Sequence, residues 1–193
     1  MGERLAGGNV AIALLANALA TGAGLIVLIL VFGPISGAHF NPVVTLASAA
    51  RAQFSWREVP AYCSVQIVGA FLGVAAAHLM FGESLFSASQ HVRAGWPQWW
   101  SEFVASFGLL AVIWGCQRLR AETVAFAVGS YIMSAYWFTA STSFANPAVT
   151  LARAATDTFA GIRPADTGAF IVAQLLGAGT ATWLFRWLLP ERS

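Results

Sequence analysis

Residues 41–50 read NPVVTLASAA and residues 146–155 read NPAVTLARAA, identical at eight of ten positions. A second matching patch follows each copy, VQIVGA at 65–70 and AQLLGA at 173–178. Alanine-rich composition alone explains the Ala and Leu matches, but not two Asn-Pro pairs each followed by Thr at the same distance. The chain therefore contains an internal duplication, and its fold must place two equivalent units. Asn is a favoured N-cap and Pro is favoured at the first helical position, so Asn41-Pro42 and Asn146-Pro147 each mark a helix start. Ten helical residues rise about 15 Å, half of a roughly 30 Å hydrocarbon core.

That comparison with a bilayer is warranted by composition. The chain has 193 residues, 58% hydrophobic and only 9% charged, against roughly 25% charged in a soluble domain. The apolar residues come in long runs, which predicts an all-α membrane protein with the lipid bilayer as its surroundings. Five full spans are expected, over 10–32, 59–81, 99–116, 123–140 and 166–189. The segments 41–50 and 146–155 are too short to cross and are expected to be re-entrant. One domain over 1–193 then holds two repeats, 1–85 and 96–190, of inverted topology. If the half-helices enter from opposite faces, their N-termini meet near the midplane. Each end carries about +0.5 charge, so the pair opposes cations and protons. The Asn amides can donate to a passing oxygen, which favours uncharged hydroxylic solutes.

Charge and reactive residues exclude other classes. All ten basic residues are arginines, scattered singly, and the net charge is +2, which gives no footing for a nucleic-acid partner. Cys63 and Cys116 sit in apolar stretches as packing residues. His39, His78 and His91 have no ligand-like spacing, so no metal is expected. No nucleophile–base pair appears, so neither an enzyme nor a cofactor is expected. The first apolar run exceeds a secretory core of about 7–15 residues and is not read as a cleaved signal. With segment 41–50 entering from the cytoplasm, Arg51, Arg57, Arg118, Arg120, Arg186 and Arg192 lie inside, with Glu58, Glu122 and Glu191. Arg4, Arg93, Arg153 and Arg163 lie outside, a weak positive-inside bias.

The stretches SGAHFNPVVTLA (36–47) and STSFANPAVTLA (141–152), the two Gln-x-x-Gly-Ala patches and Glu102 near the start of the third span together resemble the aquaporin and aquaglyceroporin family, over nearly the whole chain. The resemblance implies six spans plus two half-helices, a passage in each protomer, a homotetramer, and an inner-membrane location in a bacterium. The family's paired Asn-Pro-Ala signature corresponds to Asn41, Pro42 and Val43, a mild departure, and to Asn146, Pro147 and Ala148. The resemblance also implies an outer constriction, which falls on Thr21, Ser134, Ser143 and Val149. Water-selective members have arginine at the last of these, which narrows the passage and repels cations. Small uncharged residues at all four positions imply a wider pore. In this the chain resembles bacterial aquaglyceroporins associated with arsenic-resistance genes, which implies small neutral solutes: polyols, water and metalloid acids. Arg153, one turn beyond Val149, is read as a vestibule charge favouring the C-terminal end of its half-helix. A replacement for the missing arginine is the alternative. His39 is expected at the cytoplasmic mouth. Glu102 is expected to anchor backbone N–H groups of a re-entrant loop.

Small residues recur at four-residue spacing, Ala16-Ala20-Gly24, Gly69-Gly73-Ala77 and Ala173-Gly177-Ala181, and predict close helix crossings. Trp96, Trp99 and Trp100 suggest an interfacial belt. The two asparagines stand 105 positions apart. The second repeat has two spans before its half-helix and the first has one, so the family's first span is expected to be missing, through a start at an internal methionine or a true five-span protein. A non-conducting relative that assembles with a full-length channel is the competing function. A coupled transporter is disfavoured, because no acid or base sits mid-span.

Overall fold

The computed structural model describes residues 1–189, entirely without strands. Glu191 and Arg192, expected on the inner side, and Pro190, the last residue of the second repeat, lie outside the described residues. Helix α1 is a single short turn, Gly2–Leu5, and α2 runs Val10–Ser36. Asn9 caps α2 through side-chain bonds from Ala11 N and Ile12 N, and Gly37 ends it at φ 82°, a left-handed conformation that suits glycine. The half-helix α3 covers Pro42–Ala50, and α4 covers Val59–Phe81, as the hydropathy predicts. In the second half, α5 spans Trp96–Leu119, α6 Val124–Phe138, the half-helix α7 Pro147–Arg153, and α8 Thr167–Leu188.

Four helical stretches among the described residues are long and apolar enough to cross a bilayer: Val10–Ser36, Val59–Phe81, Trp96–Leu119 and Pro164–Leu188. The fifth expected span, α6, has 15 residues, preceded by a single 3-10 turn at Ala121–Thr123. Large apolar side chains cover the outer faces: Leu19, Val27 and Val31 on α2, Val65, Val68 and Leu72 on α4, and Leu176 and Trp183 on α8, all more than half exposed. On a soluble protein such a surface is untenable, and in a bilayer it meets its like. Aromatic rings form a ladder from the start of α5. Trp96 stacks on Trp100 at 6.1 Å, Trp100 on Phe103 at 5.1 Å, and Phe103 on Phe107 at 6.4 Å.

The most extensive crossing joins α5 and α8. Ala173 and Ala181 are buried there, and a side chain at Gly177 would run into the backbone of Phe103. The other main crossing joins α2 and α6. A Cβ at Gly22 would come 2.7 Å from Gly129 O, and one at Gly129 would come 2.6 Å from Gly22 O. Only glycine permits so close a backbone approach. This corrects part of the small-residue reading. The buried stripe of α2 runs through Ala18 and Gly22, while Gly24, Gly69 and Gly73 would meet nothing within 4 Å. Packing requires α8's stripe and leaves the α4 stripe bare.

The charged residues sort to two ends. Arg4 bridges to Glu83 at 2.5 Å and Arg163 to Asp166 at 2.8 Å at one end. There Arg93 and Arg153 both approach Phe144. At the other end Arg51 lies over Trp114 and shares a recess with Arg118.

Candidate functional site

Each asparagine caps its own half-helix. Asn41 Oδ1 accepts from Val43 N at 3.0 Å. Asn146 Oδ1 accepts from Ala148 N at 3.0 Å and Val149 N at 3.4 Å. The caps leave each side-chain amide free to donate, and each crosses to the other repeat. Asn41 Nδ2 donates to Ala145 O at 2.7 Å, and Asn146 Nδ2 donates to Phe40 O at 2.8 Å. The accepting carbonyl in each case belongs to the residue just before the opposite asparagine. The half-helices therefore meet start to start, as the duplication predicts.

The approach loops are built alike. Ala38 and Phe40 have φ of 47° and 49°, and Ser143 and Ala145 have 50° and 47°. These residues stand three and one before each asparagine. Non-glycine residues in the left-handed region cost of order 1–3 kcal/mol each and persist only where the surroundings hold them. Thr45 Oγ1 donates to Asn41 O at 3.2 Å and Thr150 Oγ1 to Asn146 O at 2.8 Å, one matched bond in each repeat.

Glu102 holds the second loop in place. It is fully buried, and Oε1 accepts from Ser141 Oγ at 2.6 Å and Phe144 N at 2.9 Å. Oε2 accepts from Ala145 N at 2.8 Å and Gln174 Nε2 at 2.6 Å. Gln174 also donates to Thr150 Oγ1 at 2.9 Å. In the first repeat, Gln66 Nε2 donates to Thr45 Oγ1 at 3.0 Å, and that hydroxyl also bonds His39 Nδ1 at 3.1 Å. The His39 ring packs edge-on to Phe54 and Tyr62, at 5.3 and 5.2 Å.

A cavity of about 180 Å³ runs past both asparagines, far above the roughly 10–15 Å³ that admits one water. His39, Phe40 and Ser48 line one part of it, and Thr21, Ser143, Val149 and Arg153 another. Its long wall is the ladder Val124, Val128, Ile132 and Tyr136 on α6, spaced by four residues and so on one helical face.

Of the four residues expected at the outer constriction, three line this cavity. Thr21, Ser143 and Val149 all line the cavity, but Ser134 does not. Ser134 is exposed, and its hydroxyl returns to Ser130 O at 2.9 Å. It is two residues from both Ile132 and Tyr136, about 200° around the helix from each. The Gly22–Gly129 crossing fixes that rotation, and the α6 side chain beside Thr21 in the cavity is Tyr136. Its hydroxyl lies 3.3 Å from Thr21 Oγ1 and accepts from Arg153 Nη2 at 2.9 Å.

The remaining motif residues support the site from behind. Pro42 and Pro147 are buried at the first helical positions. Val43 is 1% exposed and packs in the hydrophobic core, and Ala148 is 2% exposed. The departure from Ala to Val at position 43 is thus absorbed away from the cavity. Sequence reasoning missed Arg93. This loop residue is 5% exposed and donates to Gly161 O at 2.7 Å, Ser141 O at 3.0 Å and Phe159 O at 3.2 Å. Nothing periodic or repeated in the sequence marks it.

Residues 3–122 match the family described as "Major intrinsic protein". The chain is 54% identical over 183 residues to "Aquaglyceroporin AqpS" of Rhizobium meliloti, covering 94% of this chain and 78% of that protein. It is 35% identical to "Aquaporin NIP1-1" of Oryza sativa subsp. japonica over 84% of this chain and 59% of the relative, so it spans about three-fifths of that plant protein. The fold is similar to the crystal structure of the aquaglyceroporin from Plasmodium falciparum, with a TM-score of 0.65 and 22% identity, covering 95% of this chain and 84% of the other.

Proposed function

Because the chain belongs to the major intrinsic protein family, we propose that the cavity passing Asn41 and Asn146 is its conducting passage, open to polyols and to metalloid acids such as trihydroxyarsenic. The chain is a multi-pass membrane protein and a channel for small neutral solutes, not an enzyme. One observation carries the choice of solute. Where water-selective members have arginine, Val149 lines the cavity beside Thr21 and Ser143. These side chains leave width that a guanidinium would fill. A polyol or trihydroxyarsenic presents several hydroxyls around a compact neutral body. The Asn amides and the Thr21, Ser143 and Tyr136 hydroxyls supply hydrogen-bond partners for such a molecule, so little of its hydration is lost without replacement.

The channel operates as a homotetramer in a bacterial inner membrane, with segment 41–50 entering from the cytoplasmic side and each repeat contributing one half-helix. The positive N-termini of α3 and α7, and a cavity lining with no carboxylate among the described residues, fit passive flow better than ion-coupled transport.

The test is solute flux in vesicles holding the purified protein. Vesicles should shrink with glycerol as osmolyte and then re-swell as glycerol enters, and should take up trihydroxyarsenic, both well above empty vesicles. Val149→Arg should suppress both fluxes about tenfold while water passes. Glycerol flux unchanged by the arginine would remove Val149 from the constriction. Native vesicles no faster than empty ones would favour a non-conducting relative.

A further inference from the structure

The outer end of the passage has a positive charge one turn away from the position where the family pattern places it. Arg153 is the last residue of α7, four after Val149 and so about 6 Å further along the helix. Its side chain lines the same cavity as Thr21, Ser143 and Val149. Two contacts hold the guanidinium there. Nη2 donates to Tyr136 Oη at 2.9 Å, and the guanidinium carbon lies 4.3 Å from the centre of the Phe144 ring. Tyr136 is itself 3% exposed, and its hydroxyl is also within 3.3 Å of Thr21 Oγ1. An arginine used only to favour the negative end of α7 has no need of a tyrosine from α6.

Arg153 forms no ion pair among the described residues, where the two pairs are Arg4–Glu83 and Arg163–Asp166. The hydrogen bonds of Glu102 go to Ser141, Phe144 N, Ala145 N and Gln174, not to Arg153. Behind the same Phe144 ring, Arg93 places a second guanidinium 4.9 Å from its centre. Burial, and then the charge of Arg153, pull Arg93 down to about 10, so Arg93 stays charged at neutral pH.

We infer that Arg153, clamped by Tyr136 and Phe144, is a specificity-determining residue that bars small cations at the outer mouth while Val149 leaves the constriction wide. Width and charge selection, usually joined in one arginine, are divided here between successive turns of α7. A neutral hydroxylic solute passes the guanidinium and gains a donor. A monovalent cation meets a like charge in a partly dehydrated channel. This inference rests on the proposed channel function.

The test measures glycerol flux and potassium flux in the same vesicles. The native chain should pass glycerol and leak no more potassium than empty vesicles. Arg153→Ala and Arg153→Gln should raise the ratio of potassium flux to glycerol flux at least tenfold. Arg153→Lys should remain tight, because it keeps the charge. Arg153→Gln decides the matter if the alanine variant fails to fold, since it keeps a hydrogen-bonding side chain of similar length. Potassium flux at the native level in a glycerol-conducting Arg153→Gln protein would overturn the inference and leave exclusion to the half-helix N-termini. A native chain that passes no glycerol would instead overturn the channel function from which the inference starts.

Discussion

Gln174 on α8 donates its side-chain amide to Glu102 of α5 at 2.6 Å, within the most extensive helix crossing of the molecule. The carboxylate has no exposed surface, and its four partners all offer hydrogens to it. Such an acid is costly in a membrane unless fully satisfied, and here satisfaction comes mostly from the loop that leads to Asn146. Glu102 thus turns a helix crossing into a support for the passage.

Glu102→Gln should be a folding lesion. The new amide can accept at one atom only, so at least one backbone donor of Phe144 or Ala145 loses its partner. A cost of about 2–4 kcal/mol is expected, read as a lowered unfolding midpoint in detergent. A variant as stable as the native chain would show that the loop does not depend on the acid.

Asn146→Ala should cost about 2–3 kcal/mol, combining a lost N-cap with a lost crossing bond. Asn41→Ala should cost a similar amount, because each residue makes one cap and one crossing. Unfolding of the two single variants and the double variant checks this. The double should fall short of the sum, since both act on one junction.

Gly177→Leu should block the α5–α8 crossing by striking the Phe103 backbone, whereas a Cβ at Gly69 meets nothing within 4 Å and leaves Gly69→Leu open space to enter. The first should fail to give a monodisperse protein, and the second should behave as native to within about 0.5 kcal/mol. Equal damage at Gly69 would reveal a partner against the α4 stripe.

A small acid sensitivity is expected at the loop that carries His91. Burial and the Arg93 charge hold the His91 imidazole below its usual value of 6.5, with Asp157 opposing. Between that lowered value and 6.5, the unfolded chain binds more protons than the folded one. Stability therefore falls as pH drops through this window. The effect is slight because His91 is exposed. The thermal midpoint should decline less between pH 7 and pH 5 in His91→Gln than in the native chain.

What could be read beforehand was local or repeated. The N-cap role of Asn41 and Asn146 depends on chemistry within three residues, and α4 begins and ends where its hydropathy does. The anchoring of a loop by Glu102 followed from the cost of a buried acid together with the family resemblance. Spacing could not show which face of α6 lines the cavity, from which Ser134 is absent, because a loop with three left-handed residues, Thr142, Ser143 and Ala145, intervenes before Asn146. The rotation of α6 is set elsewhere, at the meeting of Gly129 with Gly22. Spacing could not show which glycines meet a neighbour, so Gly22 was overlooked and Gly24 credited instead. Arg93 was beyond reach, since its three carbonyl partners come from loops about 50 to 70 residues away.

The amide of Asn41 ends on the carbonyl preceding Asn146, and the amide of Asn146 ends on the carbonyl preceding Asn41. This is the reciprocity of an isologous dimer, folded into a single polypeptide. Two separate copies of such a unit, docked head to head about a twofold axis, would find the same pair of bonds open to them. Covalent fusion adds no new contact at that junction. It frees each copy to change on its own, as at Arg153, where the other repeat has Ser48.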